Sequence, residues 1–214
     1  LLANTTGYSS VAVGNCALAT STTGHSNVSI GVNSMKLNQT GIRNIAMGKD
    51  AFEANTTGSD DVAIGFTALD NNTTGSDNVA VGNNAMDANT TGYSSTAVGH
   101  NALDAATTGN RNTAVGTNSL PLVTTGCFNT AIGELSGGVT TTGICNLAVG
   151  RDTEHSANNT TREIVIGIGE VGKGSNTAFL DGSSGVFNKA NTTAWDQTSD
   201  RRIKKNIVDN TTGL

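Results

Sequence analysis

The sequence has little of what a globular core or an enzyme active site usually contains. Aromatic residues make up 4% of its 214 residues, with one tryptophan and two tyrosines, and proline occurs once. Charged residues make up 14%, and the formal net charge is −5. This weak, scattered charge does not indicate a nucleic-acid partner or an acidic membrane surface. No apolar run approaches the length of a membrane span either, so we expect no membrane insertion.

Cysteine and histidine, which hold most zinc sites, are scarce as well. The three cysteines stand at irregular spacings, at Cys16, Cys127 and Cys145. The three histidines lie far apart in the chain, at His25, His100 and His155. An odd number of irregularly spaced cysteines is not typical of a disulfide framework or a metal site, so we interpret them as small residues that fill positions of a repeat. We therefore expect no metal ion and no cofactor.

Glycine, in contrast, is abundant, with 27 residues, and much of it belongs to an internal repeat. The segment NVAVGNNAMDANTTG (residues 78–92) returns with few changes as DVAIGFTALDNNTTG (61–75) and as STAVGHNALDAATTG (95–109). One glycine recurs every 17 residues, at Gly14, Gly31, Gly48, Gly65, Gly82, Gly99, Gly116, Gly133, Gly150 and Gly167. The glycine of the TTG triplet keeps the same step from Gly7 to Gly143, and we count the positions of each repeat from it as position zero.

Apolar residues fall at fixed positions of this repeat. Positions four and six hold mostly Val or Ile around a small residue at position five, and position eleven holds Leu, Met or Phe in seven repeats. This pattern predicts one short strand at positions four to six and another near position eleven, joined by a glycine turn and a TTG turn. We predict that positions four, six and eleven form the core, namely Val62, Ile64, Leu69, Val79, Val81, Met86, Val98, Leu103 and Val115. The alanines at position five then face away from the core, either at an interface between chains or in solvent.

These features predict an all-β protein, a parallel β-solenoid in which each 17-residue repeat makes one coil. A helical repeat is excluded because it needs about 33 residues or more, and because two glycines in each short repeat cost too much helix propensity. Coils stacked about 4.8 Å apart would make a rod about 48 Å long from ten repeats. We predict that the solenoid shaft covers residues 1–167 and that a transition segment follows at 168–198. The chain opens inside a repeat, so we expect it to be a piece of a longer protein.

The strand motif resembles that of a known family. NVAVGNNAM and DVAIGFTAL resemble the head repeats of trimeric autotransporter adhesins, in which an N-[ST]-V-A-[IV]-G unit builds a left-handed parallel β-roll. The resemblance covers about residues 4 to 167; it is specific in the strand and loose in the turn, where the TTG triplet makes this repeat longer than the family's typical unit. It implies that three parallel chains pack into a homotrimer.

A second resemblance lies in WDQTSDRRIKKNI, residues 195–207. It resembles the opening motif, S-D-x-R-[LI]-K-x-N-I, of the endosialidase-type intramolecular chaperone domain that closes many phage tail spikes and fibres. The resemblance implies a domain that trimerises the fibre and then cuts itself off, with Ser199 as nucleophile, Lys204 as its base and the bond between Ser199 and Asp200 as the cleavage site. Residues 199–214 would be the truncated start of this domain. The alternative is a polar linker with a solvated basic cluster.

We therefore expect a structural segment of a trimeric phage or virus tail fibre, on the virion, that extends toward a host surface and helps to attach to it. Its partners would be two further copies of itself and a host receptor that the sequence does not name. The alternative is the head of a trimeric adhesin on a bacterial surface.

Enzyme activity beyond one self-cleavage is not expected, since residues 1–198 contain no recognisable catalytic constellation. Few aromatic side chains are available to stack on sugars, with Tyr8 and Tyr93 at position one, so the sequence does not indicate a carbohydrate-cleaving or strongly lectin-like groove. Asp70, Asp87 and Asp104 share position twelve, and we interpret them as a solvated edge rather than a calcium ladder.

Overall fold

Eleven three-residue strands stack in parallel and in chain order into one sheet. The computed structural model describes residues 3–180, and no helix occurs within this range. The strands are β1 Val11–Val13, β2 Val28–Ile30, β3 Ile45–Met47, β4 Val62–Ile64, β5 Val79–Val81, β6 Thr96–Val98, β7 Thr113–Val115, β8 Thr130–Ile132, β9 Leu147–Val149, β10 Ile164–Ile166 and β11 Ala178–Leu180. Strands β1 to β10 each take positions four to six of one repeat, which confirms the predicted parallel β-solenoid with 17-residue coils.

Neighbouring coils lie in register, each residue above its equivalent. Val62 pairs with Val79, and the same pairing runs from β1 to β10. The backbone ladder continues outside the strands, where the Leu69 N–H donates to the Ala85 carbonyl at 3.0 Å. A one-residue slip in such a stack would move the buried side chains of a coil to the opposite face, which explains the strict period of the repeat.

The second strand predicted near position eleven does not form, and that prediction is wrong. Positions nine and eleven adopt left-handed backbone conformations, with φ of 55° at Asn84 and 54° at Met86. The same conformation recurs at these positions in the other coils from Cys16 to Leu120. Residues in this region of backbone space turn the chain instead of extending it. Each 17-residue coil therefore has one strand and closes through a series of tight turns.

The core lies on the side of the strand opposite to the predicted side. Position five is buried from β2 to β10, and it packs with the buried residues at positions ten and eleven, as in Ala63, Ala68 and Leu69. Leu69, Met86 and Leu103 are buried as predicted. The other predicted core residues lie on the outer face of the sheet: Val62, Val79 and Val81 are half-buried, and Ile64, Val98 and Val115 each expose 37% of their surface.

The narrow interior of the coil explains this correction. One large side chain at position eleven already fills most of the space behind the strand, so a methyl group is what fits at position five. In the coil of β10 the residue at position eleven, Val171, is exposed, and position five is there the larger Val165, which is buried. The prediction that the alanine column faces a neighbouring chain is therefore wrong, because Ala80 and Ala97 are fully buried inside their own coils.

The glycine at position seven is required by its surroundings. Gly82 has a φ of +141°, which L-residues with a side chain rarely adopt. A Cβ atom added there would also overlap the carbonyl oxygen of Gly99 in the next coil. The same crowding occurs at each position-seven glycine from Gly14 to Gly150, so the closeness of the coils excludes other residues from this turn.

The solenoid continues for one coil beyond the end of the sequence repeat. Ile164 pairs with Ala178, so the last coil has 14 residues instead of 17. The three residues that it lacks are the N-T-T of the NTTG loop, since Gly174 follows directly after the equivalent of position thirteen. The first part of the segment predicted as a transition, up to Leu180, thus pairs with the shaft.

Candidate functional site

The outer face of the sheet presents two columns of apolar side chains along β1 to β10. They are the side chains at positions four and six, and we call them the apolar face. Position six is Val, Ile or Met in all ten strands, while position four is threonine at Thr96, Thr113 and Thr130. The exposed fraction of these side chains is largest at Val11 and Val13, in the first strand of the stack. It reaches 45% at Ile132, in the middle of the chain. No other segment of residues 3–180 covers this face.

A continuous apolar surface of this length is unusual on a monomer. Single exposed apolar side chains are common, but contiguous patches generally mark interaction sites. Flat, unpaired sheet faces rich in β-branched residues pack well against an equivalent surface. The apolar face is therefore the candidate site for assembly.

The corners beside the sheet carry charged residues that pair between coils. Arg43 donates two hydrogen bonds of 2.6 Å to the carboxylate of Asp60, and this contact lowers the pKa of Asp60. Lys36 pairs with Glu53 at 2.9 Å. These pairs are largely exposed, so each contributes little stability, but they show that side chains one repeat apart in sequence lie in contact.

The NTTG loop is held by two columns of buried asparagines, at positions three and fourteen. The Asn72 amide donates to the carbonyl of Gly75 in its own loop at 3.0 Å, and Asn78 donates to Gly92 in the next coil at 2.9 Å. The N-T-T sequences of this loop match the N-x-[ST] acceptor of N-glycosylation, but Asn55, Asn72 and Asn89 are fully buried in the folded chain and hold the loop in place.

Asp61 replaces asparagine at position three and leaves one interaction unmade. Its Oδ1 accepts the Asn78 N–H at 2.9 Å, as an asparagine would, but its buried Oδ2 has no hydrogen-bond partner. Burial raises the pKa of Asp61 to about 8. The folded chain thus favours the protonated form of this carboxyl group, at a position where six other coils carry asparagine.

A second buried carboxyl group lies where the loop is missing. Glu163, also at position three, accepts hydrogen bonds from the Ser156 N–H at 2.9 Å and from the Gly174 N–H at 2.7 Å. Nearby, Nδ1 of the buried His155 lies 2.6 Å from the Thr140 hydroxyl, and burial lowers the pKa of His155. In this shorter coil the Glu163 carboxylate accepts hydrogen bonds from backbone N–H groups. In coils with asparagine at position three, the side-chain amide instead donates to a backbone carbonyl.

The predicted cleavage residues Ser199, Asp200 and Lys204 lie outside the described residues, so their roles stay predictions. None of the three cysteines is buried, since Cys16 and Cys145 are exposed and Cys127 is half-buried. Cys127 and Cys145 lie in adjacent coils, and the Cys145 N–H donates to the Cys127 carbonyl at 3.0 Å. The two cysteines are one repeat plus one residue apart in the sequence, so their proximity is not evident from the repeat alignment.

The acidic column at position twelve is half-buried. Burial raises the pKa of Asp70 to about 6, with a further contribution from Asp87. Within residues 3–180 no group of three or more His, Cys, Asp or Glu side chains is arranged to hold a metal ion. The same part of the chain contains no helix long and apolar enough to cross a membrane.

Comparison of the chain with protein-family models, with curated proteins and with solved structures gave no significant match. The class that the structure defines is a parallel β-solenoid repeat protein.

Proposed function

We propose that the chain is a shaft segment of a trimeric phage or virus tail fibre, which extends toward a host surface and helps to attach to it. Three copies would pack in parallel through their apolar faces. The observation that carries this proposal is the apolar face itself, ten strands long and uncovered within residues 3–180. Burying it against equivalent faces would remove one or two apolar side chains per coil from water.

The geometry suits a rod better than an enzyme. Stacked coils make a rigid element whose length grows with the number of repeats, and every coil contacts only its neighbours. The threefold state rests on the resemblance of the repeats to trimeric adhesin heads, and the assignment to a fibre rests on the resemblance of residues 195–207 to the self-cleaving chaperone motif.

A second candidate is the head of a bacterial trimeric surface adhesin. The 14-residue last coil favours it, because that coil approaches the shorter unit of the adhesin repeats that NVAVGNNAM resembles. Both candidates share the trimer and the apolar face, and they differ in what the chain is attached to.

Light scattering on the purified chain tests the assembly. We expect three times the chain mass for the native sequence, and a folded monomer for the double variant Val79→Lys and Val81→Lys, because charges on the apolar face would be buried without partners in a trimer. Asn83→Lys, at the exposed position eight, is the matched control and should stay trimeric.

Circular dichroism on the same variants separates assembly from folding. Ala80→Asp, which places a charge inside the coil, should abolish the β spectrum, whereas the double lysine variant should keep it. A native chain that is monomeric at micromolar concentration, or a lysine variant that remains trimeric, would contradict the proposal.

A further inference from the structure

A ligand site fits most readily at repeat positions whose residue type the stacking of the coils does not constrain. The interior positions and the two turn glycines are nearly constant along the chain because each contacts its equivalents in the next coil. Positions one and two, at the corner before each strand, are exposed or half-buried and vary widely, with Ser and Asp among them. The stacking of the coils therefore does not require a particular side chain at this corner.

Three such side chains meet in successive coils. The guanidinium carbon of Arg111 lies 5.2 Å from the ring centroid of Tyr93 in one neighbouring coil and 5.2 Å from that of Phe128 in the other. Both rings are accessible, with 39% of Tyr93 and 48% of Phe128 exposed. Cation–π contacts at this distance hold the guanidinium plane in place between the rings.

Arg111 differs from the two other arginines at position two, Arg43 and Arg162, because each of those donates a hydrogen bond to a side chain of the next coil. Arg43 occupies the same position two, and the residue one coil further on is Asp60, whose carboxylate accepts both of its hydrogen bonds. For Arg111 the residue one coil further on is Phe128. No side chain or backbone group within residues 3–180 accepts a hydrogen bond from the Arg111 guanidinium, while its backbone N–H donates to the Tyr93 carbonyl at 3.0 Å. Its planar set of donors is thus oriented and unused.

We propose that Tyr93, Arg111 and Phe128 form a binding site for a carboxylated sugar of a host-surface polysaccharide. The guanidinium would bind the sugar carboxylate through two parallel hydrogen bonds, as Arg43 binds Asp60, because this geometry matches a planar oxyanion. The exposed ring of Tyr93 or Phe128 would take the apolar C–H face of the pyranose. The inference deepens the proposed attachment function and rests on it.

The surroundings favour a sugar over a polyanion such as nucleic acid. Ser94 and Asn110 lie at the same corner, and their side chains make no hydrogen bond with any residue that the structure describes, so they can serve sugar hydroxyls. The chain as a whole is acidic, with a net charge of −5, and Asp77 lies two coils before Arg111 at the same position. A single cation in an acidic surface suits one carboxylate better than a row of phosphates.

Titration calorimetry of the full chain with the methyl glycoside of galacturonic acid, which carries one carboxylate, tests this site, with its neutral methyl ester as the control ligand. We expect the acid to bind and the ester to bind at least about tenfold more weakly, since hydrogen bonds between charged groups are lost. Arg111→Gln should weaken binding of the acid by a similar factor. Phe128→Asp should do the same, because the new carboxylate would occupy Arg111 as Asp60 occupies Arg43.

Arg43→Gln is the matched control and should leave the affinity unchanged. Equal binding of acid and ester, or unchanged affinity in Arg111→Gln and Phe128→Asp, would overturn the site, as would a native chain that does not bind the acid. Light scattering on each protein keeps the two proposals apart: a trimeric native chain without binding refutes only the sugar site, whereas a monomeric native chain refutes the fibre.

Discussion

At the scale of single residues, the buried carboxyl group of Asp61 is the clearest source of pH dependence. Asparagines at position three donate to the loop glycine of the next coil, as Asn44 does to Gly58 at 2.8 Å. Asp61 needs a proton on its unpartnered Oδ2 to do the same. Its pKa is raised in the folded chain, to about 8, so folding favours the protonated form. Its contribution to stability is complete below the unfolded pKa and declines as the pH rises toward 8.

We therefore predict that Asp61→Asn stabilises the protein at pH 9 by a few kcal/mol and changes its stability little at pH 4. Urea unfolding of both proteins across this pH range measures the effect. Asn44→Asp is the converse variant, because it places a second carboxyl group in an equivalent environment, and it should deepen the loss of stability at high pH. If the free energy of unfolding changes with pH in the same way for the native protein and for Asp61→Asn, Asp61 is not the source of the pH dependence.

At the scale of the coil, the NTT residues behave as an insertion that two columns of asparagines support. The last coil closes without them, and Glu163 then binds the Gly174 N–H instead of a carbonyl. A 14-residue coil and a 17-residue coil therefore share one strand register, and the difference is confined to the loop and to position three.

Deleting residues 89–91 should accordingly leave the solenoid folded but less stable, by a few kcal/mol, because it removes the hydrogen bond from Asn89 to Asn72 and, by analogy with the last coil, turns the Gly92 carbonyl away from the Asn78 amide. Adding Asn78→Glu should recover part of that loss, since the glutamate would take the place that Glu163 has in the last coil. Thermal melts followed by circular dichroism measure both steps. Deletion of residues 83–85 serves as the control and should unfold the chain, because it removes the buried Ala85 and shifts Met86 out of the core. If both deletions are equally damaging, the loop is not separable from the coil.

At the scale of the whole molecule, identical coils stack because every coil presents the next with the same surface. No coil is stable alone, since it buries about one large side chain and two alanines, so stability comes from the interfaces between coils. In the proposed trimer, the apolar face would add a second kind of interface, between chains, and the two interfaces would use opposite sides of the same strand. Folding and trimer formation can therefore be altered separately by substitutions at neighbouring positions.

This separation leads to a prediction about processing in a longer chain that carries the complete chaperone domain. We expect such a chain to break between Ser199 and Asp200, and Ser199→Ala or Lys204→Ala to remain intact, because the nucleophile or its base is missing. Mass spectrometry of the products measures the cut, with Lys205→Ala as the control that should still be cleaved. The double lysine variant at Val79 and Val81 should slow the cut if cleavage follows trimer formation. Cleavage of Ser199→Ala at the native rate would remove Ser199 from the mechanism.

The sequence alone determined the repeat length, the parallel β-solenoid and the burial of Leu69, Met86 and Leu103, because a strict period with β-branched residues and glycine turns has few other solutions. The strand pattern did not determine which side faces inward. Alternation along a strand puts the side chains of positions four and six on one face of the sheet and the side chain of position five on the other. The alternation does not say which of the two faces points into the coil.

Only the tertiary structure decided that alanine faces inward, because the deciding quantity is the space left behind the strand by the side chain at position eleven. The tertiary structure also decided that position eleven lies in a turn. The left-handed conformations at Asn84 and Met86 are imposed by closure of the coil and not by the intrinsic backbone preference of these residues. The meeting of Tyr93, Arg111 and Phe128 is decided in the same way. Residues one repeat apart are distant along the chain but adjacent in the stack. Closure of the coil, and not the local sequence, therefore determines which of these side chains come into contact.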